Sequence, residues 1–358
     1  MRRRLALLVT GRSFLCLLAV ATLGPLALSL LHLHSDGLSR SCATTGLKLL
    51  TLVSAPHVLT TLYLVLDRQN LVGIARPAMT IGVIPVGLMV LNYAVLLAAP
   101  LWAVLAYMIA YIHVSMWHFG RQNLGVVTFS TRIASHRPMT DFERWTIMAG
   151  VVAGVLGAYR TFAPDLLLNA NAWPFDLSDI DPIFSRLWYG GVAIYAVLAP
   201  LTLGYVLVRR SQYRPLSALL YLSCVFFFLP AYVATKPLYL FSSWLVAHGV
   251  QYLVFVAFHA AGRARGRPGL RALAPFAVFS GCLAIGVALW TFSQRVGDQE
   301  VMRLAIATTT ALTLAHYWID QFLWKFASAE RREWLAQSYR FVNVNATTAT
   351  AAKRPAIV

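Results

Sequence analysis

Apolar residues in this chain come in blocks of about twenty, separated by short gaps rich in arginine, proline or glycine. A helix rises about 1.5 Å per residue, so ~20 such residues cross a hydrocarbon core of ~30 Å. Blocks at 12–33, 47–66, 79–97, 100–120, 144–162, 187–208, 215–233, 239–260, 271–291 and 301–324 predict about ten transmembrane helices. Only Ala98-Ala99-Pro100 divides the third block from the fourth. If those two form one re-entrant unit, the parity of every later span changes. Segment 125–143 carries polar turn residues and reads as a surface loop, ending at Thr140-Asp141-Phe142-Glu143, a helix start of the capping-box type. The expected fold class is therefore all-α: a polytopic transmembrane bundle forming one domain over 1–345, with a disordered tail at 346–358. No internal repeat of solenoid length is visible.

Composition fits a lipid environment. Hydrophobic residues make up 59% of the 358 positions and charged residues 12%, against roughly half and a quarter in soluble domains. The net charge of +17 would point to nucleic acid in a soluble protein. Here the basic residues sit in short loops, with no basic tract among exposed aromatics, so the charge reads as topology and nucleic acid is excluded as a partner. With the N-terminus inside, the cytoplasmic ends carry Arg2–Arg4, Arg68 and Arg76, Arg121 to Arg144, Arg209 to Arg214, Arg263 to Arg271, and Lys325 to Arg340. The opposite ends are poorer in positive charge, and their longest loop holds Asp165, Asp176, Asp179 and Asp181. This asymmetry places both termini on the cytoplasmic side of a bacterial-type inner membrane. Met1-Arg2-Arg3-Arg4 followed by an apolar stretch resembles a signal peptide; the apolar region continues past residue 30, which favours a retained first helix. Cys16, Cys42, Cys224 and Cys282 form no C-x-x-C pair and read as packing residues.

The candidate chemistry lies in the histidines. His32 and His34 sit at the outer end of the first span and His136 in a loop; His57, His113, His118, His248, His259 and His316 fall inside apolar blocks. Ionisable groups there are costly and face the bundle interior or a cavity, which makes them functional candidates. All six lie on the second, fourth, eighth and tenth spans, which run in the same direction. Depth estimated from the helical rise sorts them into layers. His57, His113, His248 and His316, one per helix, lie roughly 10–18 Å from the cytoplasmic boundary, and His118, His259, Asp320 and Asp67 within about a turn of it. The inner four are the expected metal ligands; the outer group, with Gln122 and Gln251, supplies second-layer partners or alternative ligands. His316 and Asp320 share a helix face, as do His118 and Gln122. His113 and His118 are about 140° apart, so both reach one centre only if the helix unwinds near Gly120.

Imidazole suits iron, copper, zinc and nickel, and a histidine or histidine-plus-carboxylate site with an open position holds non-haem Fe(II). Trp117, Tyr252, Tyr317, Trp318 and Trp324 are placed to wall an apolar substrate pocket. Against this stands the plainer reading that intramembrane histidines are hydrogen-bonded packing residues, that Asp67–Arg68 and Asp320–Lys325 are interfacial ion pairs, and that Trp324 and Trp334 are belt anchors. There is no Walker loop, G-x-S-x-G elbow, H-E-x-x-H motif or dinucleotide fingerprint, and the histidine boxes of membrane desaturases are missing.

His118-Phe119-Gly120, with histidines on several other spans, resembles the Brp/Blh family of membrane β-carotene dioxygenases. The resemblance implies a polytopic helical protein whose histidines hold a non-haem iron that cleaves a carotenoid. Where the family has an Asp soon after His-Phe-Gly, this chain has Arg121-Gln122-Asn123. The expected function is a membrane oxidoreductase with a histidine-ligated non-haem metal, iron first, acting on a lipophilic substrate from the bilayer. The alternatives are a haem-binding electron carrier, with two histidines as axial ligands, and a proton-coupled transporter.

Overall fold

The computed structural model describes residues 10–32, 57–61, 64–66, 71, 74–168, 180–233, 237–264, 281, 284, 299–324 and 329–339. Asp67, most of the 271–291 block and the 346–358 tail lie outside the described residues. The main helices are α1 (Gly11–His32), α2 (Ile84–Ala98), α3 (Leu101–Ala134), α4 (Asp141–Leu168), α5 (Ile180–Val208), α6 (Pro215–Val225), α7 (Pro237–Ala264), α8 (Gln299–Leu323) and α9 (Ala329–Ser338). Residues 57–61 and 64–66 are also helical, and no strand occurs among the described residues.

Among the described residues, four helices are long and apolar enough to cross a membrane: Ala78–Ala98, Leu101–Ala134, Pro182–Val208 and Ser243–Gly262. Their outward faces agree with this. Met79, Val83, Val86, Val90, Leu91 and Leu97 on the α2 segment are all exposed, as are Val192, Val197, Leu201 and Leu203 on α5. Apolar stripes of that length are stable in hydrocarbon, whereas a soluble monomer rarely presents them to water.

One boundary falls where the sequence expectation put it and another does not. The third and fourth blocks are separate helices, divided where Ala99 and Pro100 turn extended, and a π-helical turn at Ala78–Val83 leads into α2. The fourth block does not stop at residue 120: α3 continues to Ala134 through most of the segment read as a loop. Its polar residues do not break the helix because each bonds back onto it. Thr128 Oγ1 donates to the Leu124 carbonyl, Ser130 Oγ to Val127 and Thr131 Oγ1 to Thr128. The real turn is 135–140, where His136 takes a left-handed conformation (φ 51°). The expected helix start holds: the Thr140 N–H donates to Glu143 Oε2 at 2.7 Å and the Glu143 N–H to Thr140 Oγ1 at 3.3 Å.

Packing brings α1 against α7, α2 against α8, and α4 against α5, while α3 meets α1, α4, α6 and α7. One apolar core gathers around Met116, Phe119, Trp244 and Tyr317, another around Leu64, Tyr252, Ile319 and Leu323. The candidate site lies where residues of these two cores adjoin.

Candidate metal centre

Four elements each deliver one histidine to a single buried cluster. His57 lies in the described helical residues 57–61, His118 on α3, His248 on α7 and His316 on α8. All four are buried. Ring centroids are 5.0 Å apart for His57 and His248, 4.8 Å for His57 and His316, 4.9 Å for His118 and His248, and 5.2 Å for His118 and His316. His248 and His316 lie farther apart, at 6.0 Å. An imidazole bound at about 2.1 Å puts its ring centre about 3.2 Å from the ion, so neighbouring rings on one ion sit about 4.5–5.2 Å apart and opposite rings about 6.3 Å. The four shorter separations fall in the range for neighbouring rings on one ion, and the His248–His316 separation lies between that range and the opposite-ring value.

The donor atoms form two overlapping sets. One atom each from His57, His248 and His316 lie within 4.8 Å of one another, and so do one each from His118, His316 and Asp320. His118 Nε2 faces Asp320 Oδ2 at 3.8 Å, too long for a hydrogen bond and short enough for both to reach one ion. Neither ring nitrogen of His248 makes a hydrogen bond within the protein, and neither do Nε2 of His118 and Nε2 of His316. Buried polar atoms almost always find a partner. Several imidazole nitrogens gathered at one point without one fit a cation better than they fit packing.

The surroundings hold the rings in place. His316 Nδ1 meets Thr61 Oγ1 at 2.6 Å, and Thr61 Oγ1 meets the Tyr252 hydroxyl at 2.9 Å. His118 is stacked on Tyr317 with centroids 4.1 Å apart, and Phe119 packs against His248 at 4.5 Å. Trp324 Nε1 donates to Asp320 Oδ1 at 2.7 Å. Gln122 Nε2 donates both to the His248 carbonyl at 2.9 Å and to Gln251 Oε1 at 2.8 Å. Gln251 Nε2 in turn donates to Thr22 Oγ1 on α1 at 2.8 Å. The two glutamines thus support the backbone of His248 and leave its ring free.

The converging set is not the one expected from depth. His113 lies elsewhere: its Nδ1 is 2.6 Å from the Ile109 carbonyl and its Nε2 2.6 Å from the Tyr159 hydroxyl. The reason is angular. Because α3 runs unbroken through Gly120, His113 and His118 point in different directions, and only His118 faces α7 and α8. His259 is also outside the cluster, packed on Trp334 with centroids 4.7 Å apart. Trp324 and Trp334 are not surface anchors here: the first binds Asp320 and the second is buried. Of the other aromatics expected to wall a pocket, Tyr252 and Tyr317 touch the histidines, Trp318 donates instead to the Thr80 carbonyl at 2.8 Å, and Trp117 is exposed. Sequence reasoning missed Thr61. Its signal was its place one turn after His57, which puts it on the same helix face.

The fold and the site define a class: an all-helical, membrane-associated chain with a buried cluster of histidines and one carboxylate. No family, curated protein or solved structure matches the chain, so the functional reading rests on the geometry.

Proposed function

We propose that this chain is a polytopic membrane oxidoreductase that holds one transition-metal ion between His57, His118, His248 and His316, with Asp320 beside it. The observation that carries the reading is His248, a fully buried imidazole with both nitrogens lacking a hydrogen bond, set among three other histidines at metal-sharing distances. Neutral nitrogen donors with a neighbouring carboxylate suit iron, and copper or zinc next. When bound, such an ion supplies the capacity to bind and activate O₂.

The chain's own residues would do the rest. Tyr317 and Phe119 fix the planes of His118 and His248, while Trp324 orients the Asp320 carboxylate toward His118. The apolar walls around the cluster exclude water, and the exposed apolar helix faces favour a lipophilic substrate arriving from the bilayer. Cleavage of a polyene is the form of this chemistry that the His118-Phe119-Gly120 resemblance supports. Ring centroids at 4.8–5.2 Å leave no flat slot for a macrocycle between the histidines, which favours a non-haem ion over haem. The charge asymmetry supports ten spans with both termini on the cytoplasmic side of a bacterial-type inner membrane.

Elemental analysis of the purified full-length protein tests the reading. The expected result is near-stoichiometric metal in the wild type and near-zero metal in a His57→Ala, His118→Ala, His248→Ala, His316→Ala variant that still folds. Equal, near-zero metal in both would remove it.

A further inference from the structure

One ligand histidine in this reading is wired to a pair of buried hydroxyls. His316 Nδ1, Thr61 Oγ1 and the Tyr252 hydroxyl form a continuous chain, with links of 2.6 and 2.9 Å, joining segment 57–61, α7 and α8. All three residues are buried. The proton order along the chain follows from what each atom can bond to. A proton on His316 Nε2 would point into the histidine cluster, where that atom has no hydrogen-bond acceptor, and a stranded N–H costs about 1–3 kcal/mol. A proton on Nδ1 has Thr61 Oγ1 to receive it. Thr61 then donates its own hydroxyl hydrogen to the Tyr252 oxygen.

From this we infer that Thr61 and Tyr252 are positioning residues: they hold His316 as the Nδ1–H tautomer, so that its Nε2 lone pair is presented to the metal. The inference rests on the proposed metal site, and it assigns that site a specific hydrogen-bonding support. Partners of this kind fix the orientation of a ligating ring, and their loss costs ~10–100-fold in metal affinity. Thr61→Val keeps the shape of the side chain and removes the acceptor. Thr61→Ser keeps the acceptor and loses a methyl group.

Two measurements on the full chain in detergent test it. The first is Co(II) affinity by competition with a chelator. The expected result is a fall of ~10–100-fold in Thr61→Val, near wild-type affinity in Thr61→Ser, and a smaller fall in Tyr252→Phe. A role in packing alone would not be rescued by serine. The second is the ¹⁵N spectrum of the metal-free protein labelled at histidine, with the His316 signal assigned by its loss in His316→Gln. The Nδ1–H form is expected in wild type and Thr61→Ser, with mixed tautomers in Thr61→Val. Co(II) affinity and tautomer both unchanged in Thr61→Val would overturn the inference while leaving the metal site standing. Wild-type protein that shows the Nδ1–H form but binds no Co(II) would overturn the metal reading and leave the tautomer assignment in place.

Discussion

The Tyr159 hydroxyl meets Nε2 of His113 at 2.6 Å and so occupies the α3 histidine that points away from the cluster. A carbonyl can only accept, so Nδ1 carries the proton it gives to Ile109, and Nε2 accepts from Tyr159. Both nitrogens of His113 are satisfied by protein atoms. Five residues on, His118 Nε2 has no such bond and faces Asp320.

This contrast separates two variants. His113→Ala is expected to keep its full metal content and to lose about 1–3 kcal/mol of stability, because the Tyr159 hydroxyl and the Ile109 carbonyl each lose a partner. His118→Ala is expected to lose most of the metal. Metal per polypeptide, read beside the thermal midpoint, checks both; metal loss in His113→Ala with retention in His118→Ala would reverse the assignment of the α3 ligand.

Much of this was legible in the sequence, and the missing part has a definite cause. Helical rise places a residue at a depth, so His57, His248 and His316 came out together from block boundaries alone. Depth carries no rotation. His113 and His118 fall on one helix within five residues, and the choice between them turns on whether α3 unwinds at Gly120. It does not: a Cβ on Gly120 would lie 2.3 Å from Val151 Cγ2, so this glycine serves the close approach of α4 and not a break in α3. The same continuity hid the length of α3, since Thr128, Ser130 and Thr131 look like loop residues until their hydroxyls are seen bonded to their own helix. Spacing puts Thr61 on the face of His57, but its partner His316, 255 residues away, depends on how the helices rotate, whereas Trp324 bonds Asp320 only four residues earlier.

Trp324 offers a test of the carboxylate. Its indole N–H holds Asp320 Oδ1, while the other oxygen faces His118. Trp324→Phe keeps an aromatic ring beside Phe255 and Trp334 and removes the N–H. The expected outcome is a roughly tenfold or greater loss of metal affinity, the scale usual for such supporting bonds, with a small change in thermal midpoint. Unchanged affinity would show that Asp320 needs no orientation from this side.

The loop between α3 and α4 predicts an acid-sensitive fold. Glu143 is buried, and burial alone would raise its carboxyl. Bidentate bonds from Arg137 at 2.6 and 2.9 Å, the Thr140 N–H and the Tyr213 hydroxyl outweigh that and hold it below the ordinary value of 4.5. Arg137 is correspondingly raised, chiefly by its bond to Glu143. A carboxyl lowered in the folded state binds fewer protons there than in the unfolded chain, so it adds stability above its ordinary value and loses that contribution as pH falls through the folded one. Glu143→Gln is therefore expected to cost roughly 3 kcal/mol at neutral pH. The gap between wild type and variant should close as the pH drops below about 4.5. Thermal midpoints across that range measure it, and a gap independent of pH would assign the loss to packing.

The last prediction concerns how close α4 must come to the end of α6 and the residues just after it. A Cβ on Gly150 would lie 2.2 Å from the Val225 carbonyl oxygen, and one on Gly154 would lie 2.2 Å from Phe228 Cβ. Neither obstacle is the far end of a flexible side chain, so the helices themselves must separate to admit a methyl group. That separation would also disturb the Phe228–Trp244 contact, whose centroids are 5.1 Å apart, and Trp244 lies on α7 one turn before His248. Overpacking of this kind costs about 1–3 kcal/mol, and more where backbone has to move. Gly150→Ala is expected to fall at the upper end of that range, and Gly150→Ala with Gly154→Ala to weaken metal retention as well, because α7 loses part of the surface that fixes its rotation. The control is Gly125→Ala on α3, where a Cβ meets nothing within 4 Å. It should leave both stability and metal content near wild type; a loss there equal to that of Gly150→Ala would mean that the close approach of α4 to α6 is not what these glycines protect.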